Sequence, residues 1–255
     1  MDIKKRKVNH VAAVGIVYGG SGKIFAEVKT ADYPRKIFAN KGLIIGGNWI
    51  GPRAITDMGP KDTLVREWGE EITFDKPVVS YEELNRLLSE DRLDTYQMKA
   101  SDWKPSAMDQ SKLDHLKWAV LKSYCPFGDF EFFVPEEVFK REEPDYTKGG
   151  IRGIVSVWQA GLASVDWDIL VELQQKSGNL SNESQSIITS LDEILRTGLQ
   201  IGWGEDRMLR SFFLSKGFRE ALDFPLIPDI DVKYCGSPLA TYEDYLKFYD
   251  IDKRP

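Results

Sequence analysis

The strongest chemical signal in the sequence is the acidic stretch Arg66-Glu67-Trp68-Gly69-Glu70-Glu71. On an α-helix, positions 67, 70 and 71 are related as i, i+3 and i+4, so the three carboxylates project from one side. Like charges at this spacing disfavour an isolated helix by about 0.2–0.5 kcal/mol per pair, and a pair between Arg66 and Glu70 offsets a similar amount. A hard divalent cation would compensate the rest, because Mg²⁺ prefers carboxylate, water and phosphate oxygens. The pattern predicts metal-assisted phosphate chemistry; a solvated acidic face is the alternative.

The elements that would position these carboxylates lie just upstream. Gly42-Leu43-Ile44-Ile45-Gly46-Gly47 is a short β-rich run that ends in a glycine pair, and a loop from Asn48 to Pro60 follows. Proline at a first helical turn and apolar residues at helical spacing predict a helix over 63–72. Gly69 costs such a helix about 1 kcal/mol relative to alanine. A helix that only faces solvent explains neither Gly69 nor the glycine pair.

Together these residues carry a resemblance to a known family. The stretch 66–71 resembles the Arg-Glu-apolar-x-Glu-Glu core of the Nudix box, and the run 42–47 resembles the strand and double glycine that open it. The order of hairpin, glycine pair, loop, helix and further strands is similar to the α/β/α sandwich of that family, with a mixed sheet. The resemblance covers residues 8–75, and 118–160 by pattern only.

The resemblance implies a Mg²⁺- or Mn²⁺-dependent hydrolase that cleaves a pyrophosphate bond in a nucleoside diphosphate linked to another group. Glu67, Glu70, Glu71 and the carbonyl oxygen of Gly47 resemble metal ligands. Glu67 would alternatively orient and deprotonate the attacking water, and Arg66 would orient the carboxylates. Many members add a carboxylate from a later loop. The sequence offers four such residues: Glu131, Glu142, Glu143 and Glu205.

The chain also departs from the family motif. The loop before Arg66 is about five residues longer than in the motif. Met58 stands where the motif has a glutamate, with Asp57 and Asp62 nearby but out of register, and Thr73 replaces the closing glycine. Two alternatives therefore stay open: a Nudix-like nucleotide sensor without catalysis, and an unrelated α+β structural or interaction protein.

Substrate recognition is predicted only at two positions. Trp49, in the loop after the glycine pair, offers a stacking surface for a base. Arg53, in the long loop, could pair with a phosphate. The preferred nucleotide cannot be inferred from these residues.

Composition sets the broad class. The 255 residues are 42% hydrophobic and 12% aromatic, which excludes a disordered or fibrous chain. A net charge of −6 gives no global attraction to duplex DNA, so we expect no such partner. No apolar run reaches membrane-spanning length and the start lacks a secretory signal, so we predict a cytoplasmic protein with no membrane partner. Two distant cysteines predict neither a zinc site nor a disulfide framework.

We predict one domain over 1–255: a core at 8–160, an insertion at about 76–117, and a helical extension at 161–255. The insertion and extension exceed what such a catalytic core needs, and a lid, a homodimer interface or a partner surface are all open. The pattern predicts a hairpin over 8–28, strands at 118–121, 130–134 and 151–158, and helices at 81–93, 167–176, 183–196 and 205–215. Residues 94–115 are predicted as a polar connection and the last forty as irregular.

Overall fold

The fold is mixed α/β, with strands and helices interleaved along the chain. A computed structural model describes residues 5–31, 33, 36–49, 57–74, 103–202 and 204–251. The strands are β1 (Arg6–Val8), β2 (His10–Tyr18), β3 (Ile24–Val28), β4 (Gly42–Leu43), β5 (Gly46–Asn48), β6 (Tyr124–Val134), β7 (Ile151–Gly161), β8 (Gln185–Thr189), β9 (Asp231–Gly236) and β10 (Tyr249–Ile251). The α-helices within these ranges are α1 (Pro60–Glu71), α2 (Ala107–Ser123), α3 (Glu136–Glu142), α4 (Ser164–Ser177), α5 (Leu191–Thr197), α6 (Glu205–Ser215) and α7 (Tyr242–Phe248).

Eight strands form one mixed sheet. Its order is β4-β3-β2-β7-β6-β9, while β5 pairs with β2 and β8 pairs with β3. The central strands β2 and β7 are parallel, whereas β2 and β3 form the predicted antiparallel hairpin. β1 and β10 form a separate parallel pair.

Helices cover both faces of this sheet. Ala12, Val14 and Ile16 of β2 belong to a core that also contains residues of α3, α5 and α6. Ala13 and Val17, which point the opposite way, pack with residues of α1, α2 and α4. The described architecture is thus an α/β/α sandwich, in agreement with the predicted fold class.

The hairpin opens towards its base, and this opening creates space for the site. β2 and β3 pair only near the turn, at Val17 with Phe25 and Tyr18 with Ile24. Further down, β5 takes the edge of β2 instead, with Gly46 opposite Val14 and Gly47 opposite Ala13. A side chain on Gly46 would collide with the backbone of Ala13 and Val14, so only glycine allows this approach.

Several predicted elements are confirmed, among them the helices at 167–176 and 205–215 and the strands at 130–134 and 151–158. The prediction of a connection over 94–115 followed by a strand at 118–121 is wrong where the structure describes it, because 107–123 form α2. The helix predicted over 183–196 is also wrong in its first half. Residues 185–189 form β8, and the helix begins only after Ser190, whose side chain accepts a hydrogen bond from the Glu193 amide.

The extension at 161–255 is not only helical. It contributes β8, β9 and β10, the first two of which join the main sheet, so the last forty residues are more regular than predicted. The predicted helix at 81–93 lies outside the described residues. No helix in the described ranges is long and apolar enough to cross a membrane.

Candidate active site

A cavity of about 810 Å³ lies where β2 and β3 separate. This volume falls in the range typical of small-molecule sites. One side is strongly acidic, with Glu67 and Glu71 of α1 and Glu27 of β3. Another side is aromatic and is lined by Phe38, Phe132, Phe139 and Tyr146.

The glycine pair and the acidic helix meet at the mouth of this cavity. Gly46, Gly47 and Glu67 all line it, and a side chain on Gly47 would collide with the carboxylate of Glu67. Glycine at position 47 therefore lets the Glu67 carboxylate lie directly against the β5 backbone. The structure thus brings together the sequence-predicted residues Gly47, Glu67 and Glu71.

Arg66 fixes the orientation of Glu67. Its Nη1 atom lies 2.7 Å from Oε1 of Glu67, and its Nη2 atom donates to the Asn48 carbonyl oxygen at 3.1 Å. Nε and Nη2 also donate to Oδ2 of Asp57 at 3.2 and 3.1 Å. Burial alone would lower the pKa of Arg66, but Asp57 and Glu67 raise it, so the guanidinium stays charged. One cation therefore joins the glycine strand, the loop end and the acidic helix.

Asp57, rather than Asp62, is the acidic partner of Arg66. The side chain of Asp57 is fully buried and also accepts a hydrogen bond from Thr63 Oγ1 at 3.1 Å. Asp62 instead accepts from the Met58 and Gly59 amides at the start of α1, while Met58 itself is 73% exposed. The residue that meets Arg66 thus precedes the position that the motif spacing indicates.

The C-terminal part of the chain supports the same network. The Tyr242 hydroxyl lies 2.7 Å from Thr63 Oγ1, and the Tyr242 amide donates to the Met58 carbonyl oxygen at 2.9 Å. Trp49 stacks on the Tyr242 ring with centroids 4.5 Å apart. Trp49 therefore packs against α7 and is not among the residues that line the cavity.

Glu71 lies deeper in the cavity and is electrostatically strained. Burial and the neighbouring carboxylate of Glu27 raise its pKa to about 10, and the nearby ammonium of Lys29 opposes this only in part. Burial also raises the pKa of Glu67, against the lowering effect of Arg66. Burial and the repulsion between these carboxylates thus favour a proton on the pair. A cation at this position would replace that proton as the compensating charge.

Glu70 has a different environment. Its side chain is 61% exposed, accepts a hydrogen bond from Arg66 at 3.3 Å and is not part of the cavity lining. The structure thus separates Glu70 from the two other glutamates of its helix face. Arg53 lies outside the described residues.

Of the four later carboxylates predicted as candidates, only Glu205 is among the residues that line the cavity. Glu205 lines the cavity, is buried, and accepts a hydrogen bond from the Ile44 amide at 2.6 Å. Burial raises its pKa to about 8. Glu131 is paired with Arg6, Glu143 accepts from the Lys36 amide, and Glu142 is exposed.

The donor set suits a hard divalent cation: the carboxylate of Glu67 lies beside the backbone of Gly47, and Glu71 lines the same cavity. In the described part of the chain, however, no group of three or more His, Cys, Asp or Glu side chains is already arranged to hold a metal ion. Two carboxylates with waters and substrate phosphate oxygens remain a normal Mg²⁺ environment.

Comparison with known proteins gives no match, either to a protein-family model or to a curated protein. Any function proposed for this site therefore rests on its geometry.

Sequence reasoning missed Glu27, Lys29, Glu183 and Tyr242. Glu27 carries a signal in hindsight, because it is the only charged residue in the otherwise apolar strand β3. The other three come from separate parts of the chain, and no local spacing relates them to α1.

Proposed function

We propose that this protein is a divalent-cation-dependent hydrolase of the Nudix type, which cleaves a pyrophosphate bond in a nucleoside diphosphate linked to another group. The observation that carries the proposal is that Glu67 and Glu71 line one cavity together with Gly46 and Gly47. Arg66 forms ion pairs with both Glu67 and Asp57 at this site. A solvated acidic face would not have two buried glutamates, one of them against a glycine pair.

In this proposal, Glu67, Glu71 and the carbonyl oxygen of Gly47 would hold Mg²⁺ or Mn²⁺, which would supply charge stabilisation to the phosphates and make the attacking water more acidic. Glu67 would alternatively orient the attacking water and accept its proton, since Arg66 fixes one of the two carboxylate oxygens. Arg66 acts as a positioning residue, since its donors are directed to Asp57, Glu67, Glu70 and the Asn48 carbonyl.

The remaining lining agrees with a nucleotide. The aromatic side contains the stacked pair Phe139 and Tyr146, whose centroids are 4.5 Å apart. Such a surface accommodates a flat base, while the acidic side takes the cation-bound pyrophosphate. His10 also lines the cavity and stays neutral, because burial lowers its pKa to about 4.

The test is a panel of nucleoside diphosphate derivatives with Mg²⁺ or Mn²⁺, monitored for phosphate or nucleoside monophosphate release. Glu71→Gln keeps the shape of the side chain but removes the negative charge of a proposed metal ligand. We expect turnover to fall about 100-fold or more. Glu70→Gln is the matched control on the same helix, and we expect a much smaller effect because its side chain is exposed.

The outcomes separate the alternatives. Cation-dependent thermal stabilisation by nucleotides without release of product would favour a nucleotide sensor. Neither stabilisation nor release across the panel would contradict both the hydrolase and the sensor.

A further inference from the structure

A second unusual carboxylate faces the cavity from outside the acidic helix. Glu27 is 2% exposed and lies in β3 among apolar residues. Its Oε2 atom accepts a hydrogen bond from Lys29 Nζ at 3.1 Å. Its Oε1 atom is buried and has no hydrogen-bond partner. Buried carboxylate oxygens normally have a partner, so within the described residues this oxygen is available for a contact with a bound ligand.

The charged side chains around Glu27 indicate which kind of ligand its free oxygen would bind. The carboxylates that line the cavity belong to Glu27, Glu67, Glu71, Glu183 and Glu205, whereas Lys29 and Lys148 are the lysines in that lining. Lys29 is already shared, because Nζ also lies 3.4 Å from Glu183 Oε2 and 3.4 Å from Ser184 Oγ. Carboxyl groups outnumber lysines in this lining, and a cation can replace the protons that buried carboxyl groups otherwise hold, which a neutral donor cannot do.

Glu27 shares the cavity with the helix glutamates. The side chains of Glu27, Glu67 and Glu71 all line it, and all three residues are buried. Two buried carboxylates that repel each other, one with an unpartnered oxygen, form an arrangement that a divalent cation relieves.

We infer that Glu27, on β3, is a further cation ligand of this site. The inference rests on the proposed function and deepens it, because Glu27 would become a third carboxylate ligand when the cation binds; no group of three such side chains is arranged beforehand in the described part of the chain. That carboxylate precedes the acidic helix in sequence, instead of following it in a later loop. Among the later candidates, Glu205 lines the cavity but already accepts from the Ile44 amide.

The experiment measures binding of Mn²⁺ alone to the full chain, by calorimetry and by the electron paramagnetic resonance of free Mn²⁺. For Glu27→Gln we expect affinity to fall about tenfold or more, the effect of losing one contact to a charged group. Glu27→Asp, which keeps the charge on a shorter side chain, should fall between this variant and the parent. Glu183→Gln is the matched control: it also removes a carboxylate partner of Lys29, but its side chain is 51% exposed, and we expect affinity to stay within about threefold.

Each result decides a separate point. Unchanged Mn²⁺ affinity in Glu27→Gln together with a loss in Glu71→Gln would overturn the role of Glu27 and leave the proposed function intact. Equal losses in Glu27→Gln and Glu183→Gln would also overturn it, because the effect would then be one of general charge. Absence of Mn²⁺ binding to the parent protein would contradict the proposed function itself. Thermal unfolding without metal separates a folding defect from these outcomes, since a role limited to pairing with Lys29 would lower the midpoint and leave affinity unchanged.

Discussion

At the scale of single residues, the site depends on one buried ion pair. Asp57 accepts hydrogen bonds from Arg66 and Thr63 and has no exposed side-chain surface, while 19% of the Arg66 side chain is exposed. Arg66 in turn holds Glu67. The orientation of the acidic helix face is therefore set by a residue in the preceding loop.

Asp57→Asn tests this dependence. The amide keeps the shape but removes the charge that compensates Arg66, and we expect the free energy of unfolding to fall by about 1–3 kcal/mol. The measurement is urea unfolding. Asp62→Asn, which alters only the start of α1, is the control, and we expect it to cost about 1 kcal/mol or less. An Asp57→Asn protein as stable as the parent would show that the pair contributes no net stability.

Glu205 gives a pH-dependent prediction. Its folded-state pKa of about 8 exceeds the ordinary value of 4.5, so the folded protein binds the proton more tightly than the unfolded chain. Stability from this group is complete below the ordinary pKa and is lost as pH rises from about 4.5 to 8, by at most roughly 1.4 kcal/mol per pH unit. Glu205→Gln should reduce this slope in unfolding experiments between about pH 5 and pH 8. The slope should not vanish, because Glu71 acts in the same direction. An unchanged slope would contradict the assignment, and Glu70→Gln serves as an exposed control.

At the scale of elements, α1 shows what local sequence determines. Proline at its first position and the apolar spacing of Leu64 and Trp68 predict the helix, and both side chains are fully buried. Gly69 is not required by packing, since a side chain there would meet nothing within 4 Å. Lys117 Nζ donates a hydrogen bond to the carbonyl oxygen of Gly69, and any residue at position 69 would provide that acceptor.

Gly69→Ala should therefore stabilise the protein. Alanine in the middle of a helix is favoured over glycine by about 1 kcal/mol, and no collision offsets this gain. The measurement is the midpoint of thermal or urea unfolding. A loss of stability would mean that the backbone at position 69 has a constraint that the described contacts do not reveal.

Other elements were not determined locally. Trp118-Ala119-Val120-Leu121 resembles a strand as a short apolar run, yet it lies in α2 with Val120 buried and Trp118 55% exposed. The Ser106–Asp109 capping box was the available signal for that helix. Residues 185–189 form a strand because they pair with β3, more than 150 positions earlier. A pairing of this kind depends on tertiary structure and leaves no local periodicity.

At the scale of the whole molecule, the acidic helix and the C-terminal segment form one unit. Tyr242 reaches Thr63 and Trp49, and a side chain on Gly59 would collide with the Ala240 carbonyl oxygen. The local sequence around β5 and α1 predicted the glycine pair and the carboxylates, but not this support from residues 239–249. Nor did it predict Glu27, whose role depends on how β3 is placed beside α1.

Tyr242→Phe measures this support. It removes the hydroxyl that contacts Thr63 but keeps the ring stacked on Trp49, so we expect a loss of about 1 kcal/mol in the free energy of unfolding. Tyr234→Phe, at a side chain that is 58% exposed, is the control and should be nearly neutral. If the two variants were equally stable, the hydroxyl would have no supporting role.

The pairing of β1 with β10 has a consequence for biosynthesis. Residues 6–8 hydrogen-bond with residues 249–251, and around them Val8, Val11, Tyr242 and Tyr245 share a small core. While the ribosome is still translating the middle of the chain, the earliest strand has no partner and this core has only half of its members. The contacts of Tyr242 with Thr63 and Trp49 can therefore form only after residues 242–251 have left the exit tunnel, so the support of the acidic helix is assembled later than the helix itself is synthesised.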